Sequence, residues 1–158
     1  MADTQANQDL INRFYEAFAA KDAQSMNACY ADHVVFEDPA FGRLNGDEAK
    51  AMWSMLVERS AGNLTITHKV TEVTHGGAKA HWEAIYPFSK TGRKVHNRID
   101  AQFIIEEGKI VYHKDHFNLW KWAGMALGTP GKLLGWTGFM KKKIRQMALI
   151  NLKKYMEK

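Results

Sequence analysis

The chain of 158 residues has a single cysteine, three prolines and no apolar run long enough to cross a membrane. One cysteine, Cys29, excludes an intrachain disulfide and fits a reducing compartment. Lying in a helical stretch, Cys29 reads as a small buried hydrophobe and not as a nucleophile. The polar first ten residues lack the apolar core of a secretory signal, so a cytoplasmic protein is expected. No Pro/Ser-rich linker, low-complexity tract or repeat divides the sequence. HExxH and HxH spacings are missing as well, and neither a metal nor another cofactor is expected.

What is present supports one domain with a real core, since 46% of the residues are hydrophobic. The net charge of +5 is unevenly placed. Residues 130–158 carry +7 and the remainder −2, so the basic character belongs to the tail. Such a tail has three readings: packing of its apolar stripe with lysines in water, contact with an anionic membrane surface, or nucleic-acid binding. A net-negative domain argues against nucleic acid. Packing is the reading preferred here, with membrane contact second.

Apolar residues recur at helical spacing along residues 5–20, where Leu10, Phe14 and Phe18 form a stripe flanked by Ile11 and Tyr15. Asp22 caps a second short helix over 23–30. His33 to Pro39 reads as a short strand that Pro39 stops, and 41–44 as another extended piece. A third helix carries Ala49, Met52, Trp53, Leu56 and Val57 and ends before Gly62. The period then changes to two, predicting strands over 64–75, 78–88, 94–106 and 109–119. A helix follows over 120–128, Thr129-Pro130-Gly131 breaks it, and a last helix runs over 133–155 with a kink near Gly138. Helices first and an antiparallel meander after give an α+β fold with helices on one face of a curved sheet.

The hairpin from Gly92 to Phe117 organises the candidate site. Side chains alternate along a strand, so His96, Arg98, Asp100 and Gln102 share one face of its first strand. His113, Asp115 and Phe117 share a face of the second, with His116 opposite. Placing both sets on the concave side gives a polar-bottomed pocket, in which Trp53, Phe36, Trp82 and Tyr86 are candidate apolar walls. His113 beside Asp115 offers either a tuned acid/base pair or two metal ligands, and the pair is preferred.

Two motifs carry a resemblance. The segment from Tyr30 to Gly42 is similar to the part of steroid delta-isomerases that holds the general-base aspartate, and Asp38 before Pro39 matches that base. Asp100 falls on their oxyanion-hole aspartate. Their helix-one tyrosine corresponds to Phe14, with Tyr15 about 100° round the helix, which argues against true steroid isomerisation. The stretch His113 to Asn118 resembles limonene epoxide hydrolase and SnoaL-like proteins, placing Asp115 on an acid/base aspartate. The hydrolase's Arg-x-Asp pair has only His81-x-Glu83 or Arg98-x-Asp100 as counterparts. The C-terminal segment is similar to bacterial SnoaL-like proteins.

The chain thus resembles the nuclear transport factor two-like superfamily, over about residues 8–120 in layout. The resemblance implies a cone: a strongly curved antiparallel sheet, three N-terminal helices closing a pocket, and a C-terminal helical extension. Residues 1–128 would form the SnoaL-like domain and 129–158 its basic extension. It implies a homodimer through the outer sheet face. It also implies cofactor-independent acid/base chemistry on a small apolar carbonyl or epoxide compound, by an isomerase, cyclase or epoxide hydrolase. Asp38, Asp100, Asp115, His113 and Arg98 are the candidate catalytic groups. Phe14, Tyr15, Phe36, Trp53, Trp82, Tyr86, His96 and Phe117 are the candidate pocket. A non-catalytic apolar-ligand binder or dimeric scaffold is the competing reading. Carboxylates crowded in such a pocket disfavour ionisation, so at least one should titrate high.

Overall fold

The computed structural model describes residues 2–158. Helix α1 (Ala2–Ala19) buries Leu10, Ile11, Phe14, Tyr15 and Phe18, the stripe set by its sequence period. Asp22 caps α2 (Ala23–Ala28) by accepting from the Ser25 N–H at 3.1 Å. Strands β1 (Tyr30–Asp38) and β2 (Gly42–Asn45) form a hairpin that leads into α3 (Asp47–Arg59). A meander follows: β3 (Thr65–Val73), β4 (Gly77–Pro87), β5 (Lys94–Glu106) and β6 (Lys109–His116). Three helices end the chain: α4 (Leu119–Leu127), α5 (Thr129–Leu134) and α6 (Gly138–Met156). The single long helix expected over 133–155 is therefore two helices, with Thr137 capping α6 by accepting from the Met140 N–H.

The six strands make one sheet in the order β2-β1-β6-β5-β4-β3. It is not wholly antiparallel, because β1 runs parallel to β6. A parallel pair needs a long crossover, and everything from β2 to β5 supplies it. Sequence period shows that a strand exists but not which neighbour it takes, so this pairing was invisible.

Large aromatic residues fill the space between sheet and helices. Trp53, Tyr15, Phe14 and Phe36 are all buried at 2% exposure or less. Each contributes roughly 1.5–3 kcal/mol through burial alone.

The two strands of the long hairpin obey different parity. Along β5 the buried residues are Val95, Asn97, Ile99, Ala101, Phe103 and Ile105, so His96, Arg98, Asp100 and Gln102 face outward. In β6, Ile110 and His113 both face inward, which a regular strand forbids. The register shifts between Ile104 and Ile105, leaving Val111 as the extra residue of a β-bulge. That bulge turns His113 and Asp115 into the interior.

Helix α6 spans two clusters. Leu152 joins the main core, while Met140 and Ile144 pack with Leu119 and Ala123 of α4. The Tyr155 hydroxyl donates to Glu58 on α3 at 2.8 Å, and the Arg145 guanidinium donates to the Pro39 carbonyl at 3.4 Å. The apolar stripe of the tail packs as expected, although it packs over a cavity.

Candidate active site

A cavity of about 480 Å3 lies between the inner sheet face, α3 and α6. This falls within the range of small-molecule pockets, roughly 300–1,000 Å3. Trp82, Ala84 and Ile99 supply the sheet wall, and Met52, Trp53 and Met55 the α3 wall. Met140, Ile144, Met147 and Ala148 of α6 cover it. Into this apolar space point Asp38, Asp115, Asn97 and Tyr86.

Asp38 ends β1 because Pro39 cannot extend the ladder. Its Oδ1 accepts the Phe41 N–H at 2.5 Å, which fixes the carboxyl against the β1–β2 turn. Burial pushes the Asp38 carboxyl up to about 7. The Phe41 N–H pulls it back, the Asp115 charge pushes it further up, and the Ala40 N–H and the Arg145 guanidinium oppose that. Asp38 is therefore present in both protonation states near neutral pH, the condition an acid/base catalyst needs.

Asp115 is held by a buried chain. The Trp53 indole donates to the Tyr30 hydroxyl at 2.8 Å, and that hydroxyl meets His113 Nδ1 at 2.7 Å. His113 Nε2 lies 2.8 Å from Asp115 Oδ1, which also accepts from the Trp82 indole at 3.3 Å. One tautomer satisfies every partner: Tyr30 O–H donates to Nδ1, and Nε2–H donates to Asp115. This assignment follows from the network. Among the described residues Asp115 Oδ2 has no partner, which leaves it to the cavity. Both ring nitrogens of His113 are engaged, so it does not serve as a metal ligand in this arrangement. Among the described residues no cluster of three or more His, Cys, Asp or Glu is placed to hold a metal ion.

Tyr86 accepts from the Trp122 indole at 2.9 Å, and among the described residues nothing takes its own proton. Burial raises its hydroxyl above the usual range, and the neighbouring Asp38 charge adds to this. Asn97 is only 8% exposed, and its amide has no partner among the described residues. Both can donate to an oxygen on a ligand.

Of the residues expected from the sequence, Asp38, Asp115, Trp53, Trp82, Tyr86 and Phe117 line the cavity. His113 lies behind it and positions Asp115. Phe14, Tyr15 and Phe36 are core residues that do not reach the cavity wall. Asp100, Arg98 and His96 are corrected outright, because strand parity puts them on the outer sheet face. There His81 bridges Asp100 at 3.0 Å and Glu83 at 2.9 Å, and those carboxylates hold its imidazole above the usual range. His96 meets Glu83 at 2.7 Å, with Arg98 3.7 Å from the same oxygen. Sequence reading missed Asn97, Tyr30 and the α6 wall. Asn97 was findable as the one polar residue in the apolar alternation of β5.

A curved α+β cone enclosing an apolar cavity with two acidic groups defines a class of small-molecule pocket domains. Residues 11–113 match the family model of the SnoaL-like domain, and the chain belongs to that family, with its nuclear transport factor two-like cone. No curated protein matches the chain in sequence. Solved structures share the fold. A candidate polyketide cyclase from Xanthomonas campestris pv. campestris is 21% identical, with a TM-score of 0.62 over 78% of this chain and 98% of that one. An LEH-like epoxide hydrolase from M. tuberculosis is 18% identical, with a TM-score of 0.58 over 84% and 98%. A ketosteroid isomerase-like protein from Erwinia carotovora atroseptica is 12% identical, with a TM-score of 0.59 over 73% and 95%. Fold at this distance does not transfer an activity.

Proposed function

We propose that the protein is a cofactor-independent acid/base enzyme that moves a proton within a small, largely apolar carbonyl compound. The observation that carries this is the placing of Asp38 and Asp115 in one largely apolar cavity, where burial pushes the Asp38 carboxyl up to about 7. The Asp38 carboxylate takes the proton from the carbon beside the carbonyl, and the C–H electron pair forms a C=C bond as the carbonyl oxygen becomes an oxyanion. Tyr86 and Asn97 donate hydrogen bonds to that oxygen. Protonated Asp38 then returns the proton to another carbon of the conjugated system, so substrate and product are isomers and nothing is consumed. His113 keeps Asp115 oriented beside the reaction.

An epoxide substrate is the second reading, favoured by the His113–Asp115 pair, which resembles an acid/base group with its orienting partner. The fold relatives include an epoxide hydrolase, as well as cyclase-like and isomerase-like proteins. The chain is further proposed to pair as a homodimer through its outer sheet face, which light scattering would test.

Incubating the protein with β,γ-unsaturated and conjugated ketones in D2O, followed by NMR, tests the carbonyl reading. Deuterium should enter next to the carbonyl with wild type and not with Asp38→Asn. Equal exchange by both, or ligand binding without turnover of ketones or epoxides, would leave a binding module instead.

A further inference from the structure

We propose that the corner between α5 and α6 docks on an anionic lipid surface. Four large apolar side chains project there into solvent: Leu133 at 66% exposure, Leu134 at 46%, Trp136 at 59% and Phe139 at 74%. They fall at the end of α5, in the link after it and at the start of α6. Trp120, 48% exposed, lies against Gly135 at the same corner. Burying none of these in a folded chain that buries so many other aromatics needs an explanation, because large contiguous apolar patches mark interaction sites.

The corner is built to hold its shape. A Cβ at Gly131 would collide with the Ala123 carbonyl, so only glycine lets α5 lie this close on α4. The Trp120 and Trp136 indoles donate to the Lys132 and Leu133 carbonyls, both at 3.0 Å, which fixes the rings at the surface.

Charge selects the partner. Lys132 lies in α5, and Lys141 and Lys142 lie in the first turns of α6. Residues 129–156 contain no Asp or Glu. Exposed aromatic and leucine side chains in a segment that is basic and free of acidic residues match the interface of a bilayer carrying anionic headgroups. A symmetric contact between two copies through this patch would bring like charges together across the axis. No helix among the described residues is long and apolar enough to cross a membrane, so the contact is peripheral. The same helices line the cavity through Pro130, Met140 and Ile144, which places the covering wall of the cavity beside the bilayer. Docking stands apart from the catalytic reading and does not require turnover.

Flotation with phosphatidylcholine vesicles, with and without phosphatidylglycerol, tests the proposal. Wild type should float only with the anionic vesicles. Trp136→Ser/Phe139→Ser and Lys141→Gln/Lys142→Gln should each weaken partitioning by about tenfold or more. Lys69→Gln/Lys114→Gln, on the sheet, should not. All replaced residues but the sheet controls lie at the exposed corner, and unchanged circular dichroism melts would show that each variant folds. Absence of flotation, equal flotation with neutral vesicles, or equal loss in the sheet control would overturn the proposal. So would a dimer by light scattering that the Trp136→Ser/Phe139→Ser variant abolishes, since a second copy would then be the occupant.

Discussion

Asp38 and Asp115 line the same cavity, and the charge of one acts on the other. The parallel register of β1 and β6 pairs Phe36 with His113 and Glu37 with Lys114, one residue short of each aspartate. Phe36 and His113 both face inward, and two residues on from each, the aspartates share that face. The ends of these neighbouring strands thus bring two carboxyls to one largely apolar cavity. Burial is the main reason that Asp38 holds its proton to higher pH, and the like charge of Asp115 adds to it.

Replacing Asp38 separates activity from stability. Asp38→Asn should lower turnover by about 10²–10⁴-fold, the usual loss of a general base. The folded value of about 7 exceeds the unfolded carboxylate value near 4. The contribution of Asp38 to stability is therefore fully present below about pH 4 and is lost as pH rises through about 7, by up to about 4 kcal/mol. The Asp38→Asn variant escapes that loss, and its amide oxygen can still accept the Phe41 N–H. Melting curves should show the variant gaining on wild type far more at pH 8 than at pH 5.

Two tyrosines should respond in opposite ways to losing their hydroxyls. Tyr30→Phe strands the Trp53 indole and His113 Nδ1 and should cost about 1–3 kcal/mol in urea unfolding. The Tyr15 hydroxyl is buried without a partner. Tyr15→Phe should be neutral or stabilising, because it removes an unpaired polar group.

Filling the cavity should block binding without harming the fold. Ala84 faces the empty space from β4. Ala84→Leu should weaken binding of an apolar fluorescent dye by at least about tenfold while the melting temperature holds or rises. An unchanged dye affinity would place the ligand elsewhere.

The outer-face cluster should be catalytically silent. Asp100→Asn changes a carboxyl on the face opposite the cavity, so turnover should stay within about twofold of wild type. A large loss would return Asp100 to the site and refute the strand parity.

The strands, the α+β class and most helices follow from period, as Leu10, Phe14 and Phe18 on α1 illustrate, whereas α5 begins at Thr129-Pro130-Gly131, which reads as a break. Asp38 was legible through the resemblance of Tyr30 to Gly42 to the steroid delta-isomerase segment, and Asp115 through its alternation with His113 and Phe117 on one strand face. The hairpin misled where residue chemistry was weighed above alternation. Val95, Ile99 and Phe103 already marked the inner face of β5, which excludes Asp100, Arg98 and His96. The bulge at Val111 could not be foreseen, since an inserted residue appears in sequence only as a break in parity. Nor could the covering role of α6, whose apolar residues look the same whether they meet a sheet or roof a cavity.

Carboxyl-carbon NMR titration of wild type and Asp115→Asn measures the coupling of the two carboxyls. Asp38 should titrate near 7 in wild type and at lower pH once Asp115 loses its charge. An Asp38 that titrates near 4 in both proteins would contradict that coupling.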